Sequence, residues 1–385
     1  MRQMLAFAAA LIVLATTAHA QFRGFGRGYD RPEIDSRELE RIAERLSLSP
    51  EQVDLAGQIH AAYVAEATEL GQRMRETMDG ARDEFRQTRD TSVWRDLREI
   101  MVDFESRRDR LTRTFLDDLQ LTLGVDDESW AGVERQHRRL RDLPENAVLS
   151  GESVDLVEIA RDLEIDDREG VARVLSSYEM ELDRAIRERD EAQAPIRADP
   201  FAYFGPDATE DAQAALEEAR EKSAAIRDLH RRFARQIRPA LDDPVGAAFD
   251  EEILERSFPR VYTETPADRA LATVEEMGTL TGEQREAVAS LAERYRRDVA
   301  AANERLADAI ESDEMTRVPG PPRRGRDGGE TSEELSRLNE EKRRLVADAV
   351  SSLRSILTEE QAASLPEAED AGDWRGRARR SFGGG

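Results

Sequence analysis

The chain of 385 residues contains no cysteine. Disulfides, thiolate metal sites, a cysteine nucleophile and a lipid anchor on cysteine are thereby excluded, so stability has to come from packing. Lysine is nearly missing as well: Lys222 and Lys342 are the only two, and the remaining positive charge is arginine. Aromatic residues make up only 5%. Past the first twenty residues no apolar run approaches the roughly 20 residues that a membrane-crossing helix needs. Gly-rich phosphate loops, paired H-E-x-x-H histidines and nucleophile elbows are absent from the sequence too. These absences predict a protein without a cofactor, without a membrane span and without catalysis.

Charge is what the chain has in quantity. Charged residues make up 36% and the net charge is −25. So acidic a body disfavours nucleic acid, whose phosphates it repels. The first residues read as a secretory signal: Arg2, then an apolar stretch from Leu5 to Thr17, then Ala18-His19-Ala20. Cleavage is expected after Ala20, giving a periplasmic or secreted product. That cut removes one arginine, Arg2, and leaves −26.

The hydrophobic pattern is helical throughout. Val53, Ala56, Ile59, Tyr63, Ala67, Leu70, Met74 and Met78 recur every three or four positions, and so do Leu97, Met101, Phe104, Leu111, Phe115 and Leu119 after a polar break at 88–92. Two such stripes in succession predict an antiparallel helical hairpin. The pattern returns with Val171, Val174, Tyr178, Leu182 and Ile186 followed by Leu216 to Ile237. It returns once more with Val288 to Ile310 followed by Leu335 to Ile356. The expected fold is all-α, with three consecutive long antiparallel hairpins packed like coiled coils and related by internal triplication. The expected boundaries are a signal peptide at 1–20, a disordered Arg/Gly tail at 21–34, and hairpins at 35–145, 152–262 and 266–366. A flexible loop is expected at 315–331 and a second Arg/Gly tail at 367–385.

Helix starts recur with the pattern. Leu48-Ser49-Pro50-Glu51-Gln52, Leu280-Thr281-Gly282-Glu283-Gln284 and Leu357-Thr358-Glu359-Glu360-Gln361 each place a capping hydroxyl three residues before a glutamine. The hydroxyl accepts from a free N–H of the first turn and the glutamine reaches back, which is a capping box. Ile165-Asp166-Asp167-Arg168-Glu169 is expected to serve the same purpose, with Asp166 as cap and Glu169 in the glutamine's place. The two landmarks Leu48 to Ile165 and Ile165 to Leu280 lie 117 and 115 positions apart.

These pentapeptides, on charged amphipathic helices behind a signal sequence, resemble the LTxxQ signature of the periplasmic Spy/CpxP family. Ser49 replaces the motif's threonine, and Asp166 and Glu169 depart from it further. The resemblance implies an envelope-stress protein that holds unfolded protein clients without ATP. A structural or scaffolding protein of the cell envelope is the alternative, and a periplasmic metal-responsive sensor a weaker one. For the last, His60, His137 and His230 are too isolated in sequence to assemble a ligand set, so no metal residue is assigned. Phe201, Tyr203 and Phe204, between two prolines, form the candidate partner-binding cluster, and the basic tails offer contacts to envelope components.

Overall fold

The computed structural model describes Tyr29 and residues 31–90, 92–198, 209–316 and 333–366. The expected signal peptide, the C-terminal tail and the aromatic cluster Phe201, Tyr203 and Phe204 lie outside the described residues. Every element among those described is helical and none is a strand. None of these helices is long and apolar enough to cross a membrane.

The helices are α1 Ser36–Arg45, α2 Pro50–Thr88, α3 Ser92–Leu123, α4 Asp127–Glu145, α5 Leu156–Asp162, α6 Glu169–Ala198, α7 Glu210–Ile237, α8 Asp243–Ser257, α9 Pro266–Glu275, α10 Gly282–Thr316, α11 Glu333–Ile356 and α12 Glu359–Ala363. The order is short, long, long, shorter, three times over. The chain forms two compact units. Residues 29–147 and 168–229 belong to the first; 148–167, 230–316 and 333–366 belong to the second. The segment expected as a self-contained second hairpin, 152–262, therefore contributes to both.

In the first unit α2 and α3 run antiparallel. Tyr63 stacks on Phe115 at 4.6 Å near one end, while Met74 and Met78 meet Leu97 and Phe104 near the other. The face α2 buries is Ala56, His60, Tyr63, Ala67, Gly71, Met74 and Met78. Val53, expected on that stripe, is 44% exposed. Val53 stands at the start of α2, ahead of Ala56, the first residue of the buried face. α6 packs closely on α4, and it meets α7 through Lys222 Nζ–Glu188 Oε2 at 3.0 Å and Gln193 Nε2–Ser223 Oγ at 3.4 Å. In the second unit α10 and α11 are antiparallel, with Arg305 paired to Glu341 at 2.9 Å. The lead helix α9 closes their core through Ala267, Ala270, Leu271 and Val274. Each fully covered leucine there, such as Leu353, contributes about 1.5–3 kcal/mol of burial.

Several expectations change. The stretch assigned to an N-terminal disordered tail is packed at its inner end: Tyr29 meets Phe104 edge-on at 5.5 Å and Ile34 is wholly buried. Burial away from water pushes the Tyr29 hydroxyl up to about 12. Met315 and Thr316, assigned to a loop, end α10, while the rest of that loop lies outside the described residues. Helices α4 and α8 were not expected. The face that α4 buries carries Gln136, His137, Arg139 and Asp142 beside Trp130, Val133 and Leu143, which hides its apolar periodicity.

Candidate functional site

The residues singled out by the sequence stand at helix junctions. Ser49 accepts from Gln52 N at 3.3 Å while Gln52 Oε1 accepts from Ser49 N at 3.0 Å, a complete capping box with Pro50 in the first turn. Thr281 with Gln284 and Thr358 with Gln361 make the same pair of bonds. Asp166 and Glu169 do not. Helix α6 begins at Glu169 itself, so Asp166 stands ahead of it in a turn, too early to reach the first free N–H groups.

The leading apolar residue of the first two motifs has its own reason to be there. Leu48 N donates to Ala43 O at 3.0 Å and Ser47, at φ 49°, donates to Glu44 O. Ile165 N donates to Ala160 O at 2.8 Å and Glu164, at φ 53°, donates to Arg161 O. Both are Schellman closures, in which one left-handed residue turns the chain and the next, apolar, residue folds back on the helix just ended. One short peptide thus terminates a lead helix and, in the first round, starts a long one.

The same junction occurs once more, between α3 and α4, where no L-x-x-x-Q pentapeptide marks it. Val125 N reaches Gln120 O behind Gly124, at φ 66°, and Asp126 then caps α4 by accepting from Ser129 N at 2.9 Å. At the matching place in the second round the cap stands without the left-handed turn: Leu241 is buried behind a short 3-10 turn, and Asp242 caps α8 by accepting from Val245 N at 3.2 Å. From Leu48 to Val125 is 77 positions, from Ile165 to Leu241 is 76 and from Leu280 to Leu357 is 77. The signal that would have found them is an apolar residue followed by a capping aspartate; the glutamine is replaced by Ser129 and Val245.

In the second unit the two boxes of the third round come together. Gln284 Nε2 donates to Ile356 O at 3.0 Å and to Gln361 Oε1 at 2.9 Å. Gln361 Nε2 donates to Thr279 O at 3.2 Å and lies 3.4 Å from Gln284 Oε1. Ile356 and Thr279 each immediately precede the leucine of their own motif. Each glutamine therefore completes its own cap with its oxygen and binds the opposite junction with its amide, an approximate two-fold arrangement. Carbonyls that the helix ends leave without partners are satisfied in the process.

Tyrosines tie the lead helices to the long ones. Tyr63 Oη accepts from Ile34 N at 3.3 Å and lies 3.1 Å from Thr112 Oγ1, to which its own proton is free to go. Tyr295 Oη lies 2.6 Å from Thr265 Oγ1, the N-cap of α9. Thr265 spends its proton on Asp268 Oδ2 at 2.7 Å, so Tyr295 is the donor. Burial raises both tyrosine hydroxyls above their ordinary value of 10.

The histidines serve packing. His60 Nε2 lies 2.9 Å from Ile34 O, which only an N–H can approach, and its ring sits edge-on to Phe115. His230 Nε2 makes the same kind of bond to Glu152 O at 2.9 Å. His137 Nδ1 meets Glu38 Oε1 at 2.7 Å. Arg189, with no exposed side-chain surface, gives Nη2 to Asp142 O at 2.6 Å and Nε to Asp190 at 3.0 Å. It continues, with Gln193, the buried face of α6 that the apolar residues leave at Ile186. These are orienting and capping contacts, well suited to fixing helices in register. Compared with family models, with curated proteins and with solved structures, the chain matches none.

Proposed function

We propose that this is a non-enzymatic extracytoplasmic protein of Spy/CpxP type, which holds unfolded or stress-generated protein clients on the long helices without nucleotide or cofactor. The observation that carries the reading is the joined pair of L-T-x-x-Q boxes at 280–284 and 357–361, whose glutamines cap their own helices and bind each other's junction. The motif is then more than two unrelated helix starts, and its resemblance to the family gains a structural reason. Large apolar side chains left in solvent, Leu121 at 81%, Met180 at 57% and Val102 at 55% exposed, supply contact points for a chain with unburied hydrophobic segments.

We further infer that the protein arose by triplication of one four-helix round. In support, the first junctions Leu48, Ile165 and Leu280 are spaced by 117 and 115 positions, and the second junctions Val125, Leu241 and Leu357 by 116 and 116. Unrelated helical segments have no cause to keep two independent landmarks so evenly spaced.

Light scattering tests the function. Equimolar protein should suppress the aggregation of a chemically reduced or heat-stressed client, without ATP, and polar substitution of Leu121, Met180 and Val102 together should weaken the effect. Unaltered client aggregation in the presence of a several-fold excess of the protein would rule the proposal out.

A further inference from the structure

Helix α11 buries Leu335, Leu338, Ala349 and Leu353. Lys342 stands four positions after Leu338 and seven before Ala349, on the same stripe, where the helical rhythm calls for an apolar residue. Leu335 and Leu338 pack with Phe258, Val261 and Leu306 in one core cluster. Ala349 and Leu353 pack with Leu271, Val288 and Tyr295 in another. A cation therefore occupies a core-facing position between two apolar clusters of the second unit.

That cation has no counter-ion. Lys342 is partly buried, its Nζ donates to the backbone carbonyl of Val261, and no carboxylate forms an ion pair with it among the described residues. The carboxylates beside it in sequence are engaged elsewhere: Glu341 by Arg305 at 2.9 Å, and Glu340 by Arg344 at 3.3 Å. Asp268 acts on the lysine from farther off, and its Oδ2 is spent on the cap of α9, accepting from Thr265 N at 2.8 Å and Thr265 Oγ1 at 2.7 Å. Burial without a counter-ion holds the amine down to about 8 from 10.5. Lys222, the only other lysine, is by contrast bound to Glu188 Oε2 at 3.0 Å.

A desolvated lysine that keeps a path to water is a nucleophile near neutral pH. The surroundings suit the product of its attack as well. Acylation turns the ammonium into an amide with one N–H and no charge. Val261 O stands ready to accept that single N–H, and the burial that penalises a cation penalises a bonded amide far less.

We propose that Lys342 is a modification site, acylated at Nζ by acyl phosphates. The lone pair of the neutral amine attacks the acyl carbon and the bond from that carbon to the phosphate oxygen breaks. Inorganic phosphate leaves with the electrons of that bond, and the surplus proton on nitrogen passes to water. The site shares no residue with the joined glutamine junction, and its failure would leave the client-holding reading untouched.

The test incubates the full chain with acetyl phosphate at pH 8 and follows acetylation of each lysine over time by peptide mass spectrometry. Nα-acetyl-lysinamide in the same tube reports an unperturbed amine. At that pH about half of the Lys342 amines are neutral, against about 0.3% of an ordinary lysine, and the weaker base gives back about tenfold of the advantage, as it does for thiolates. Lys342 should therefore react at least ~10-fold faster than both Lys222 and the model amine. In concentrated urea, where water reaches both lysines alike, the difference should shrink to less than ~3-fold. A rate at Lys342 no greater than that of the model amine overturns the proposal. So does an advantage that persists undiminished in urea, because the fold would then have no part in it.

Discussion

Replacing Gln284 and Gln361 with alanine, singly and together, tests whether the two junctions of the third round act as one. Each amide makes one bond to the opposite junction's backbone and one contact with the other amide. A neutral hydrogen bond contributes about 1 kcal/mol net, less where water reaches it. Each single change should therefore cost roughly 1.5–2 kcal/mol, including the lost half of a capping box. The amide–amide contacts disappear in either single variant, so the double variant cannot lose them twice. Its cost should fall short of the sum by about 1 kcal/mol.

The first unit supplies the control. Gln52 and Ser129 occupy the matching positions there, but among the described residues the Gln52 side chain is bonded to Ser49 alone and Ser129 to Asp126 alone. The cycle of Gln52→Ala with Ser129→Ala should be additive to within about 0.5 kcal/mol. Urea unfolding in a Trp374→Phe background separates the two units, because the remaining tryptophans, Trp94 and Trp130, both belong to the first. Fluorescence then follows the first unit and far-ultraviolet circular dichroism follows all the helices. Additivity in the third round, or a coupling in the first as large as in the third, would refute the reasoning.

Two further outcomes are expected. Ser49→Ala should destabilise the first unit by about 1 kcal/mol, the usual cost of a lost N-cap, whereas Asp166→Ala should change stability by less than ~0.5 kcal/mol because it caps nothing; denaturant midpoints compare them. Lys342, whose Nζ donates to Val261 O, is held down to about 8 from 10.5 because burial penalises its charge. The unfolded chain then binds the proton that the folded one has released between about pH 8 and 10.5, so the second unit should gain stability as pH rises through that window. Lys342→Met should abolish the gain, as read from unfolding midpoints at a series of pH values.

Much of the helical framework is written locally, and local features are what a sequence displays. The boxes at Ser49, Thr281 and Thr358 are legible because cap and glutamine are three residues apart and need no other part of the chain. Helix α4 is hard to read because tertiary contacts, not apolar character, bury its polar face: His137 answers Glu38, and Gln136 answers Arg45, 91 residues away. Arg189 and Gln193 extend the buried face of α6 by binding carbonyls of α4 and Asn146, which no periodicity of apolar residues records. The crossed glutamines are a pairing over 77 positions; the motif announces its members, but only folding shows that they meet.

The junctions also say where this protein tolerates change in length. Between first and second junction the count stays at 77, 76 and 77, while the first long helix of each round runs 39, 30 and 35 residues and the second 32, 28 and 24. At Ser47-Leu48-Ser49 consecutive residues turn the chain, fold back on one helix and cap the next, so a single inserted residue there would misalign all three tasks. At Arg89, the end of the first long helix remote from the junctions, the chain closes that helix alone, its N–H donating to Phe85 O. A label, an affinity tag or a foreign loop added there should leave the protein folded, and the same addition beside Leu48 or Val125 should not.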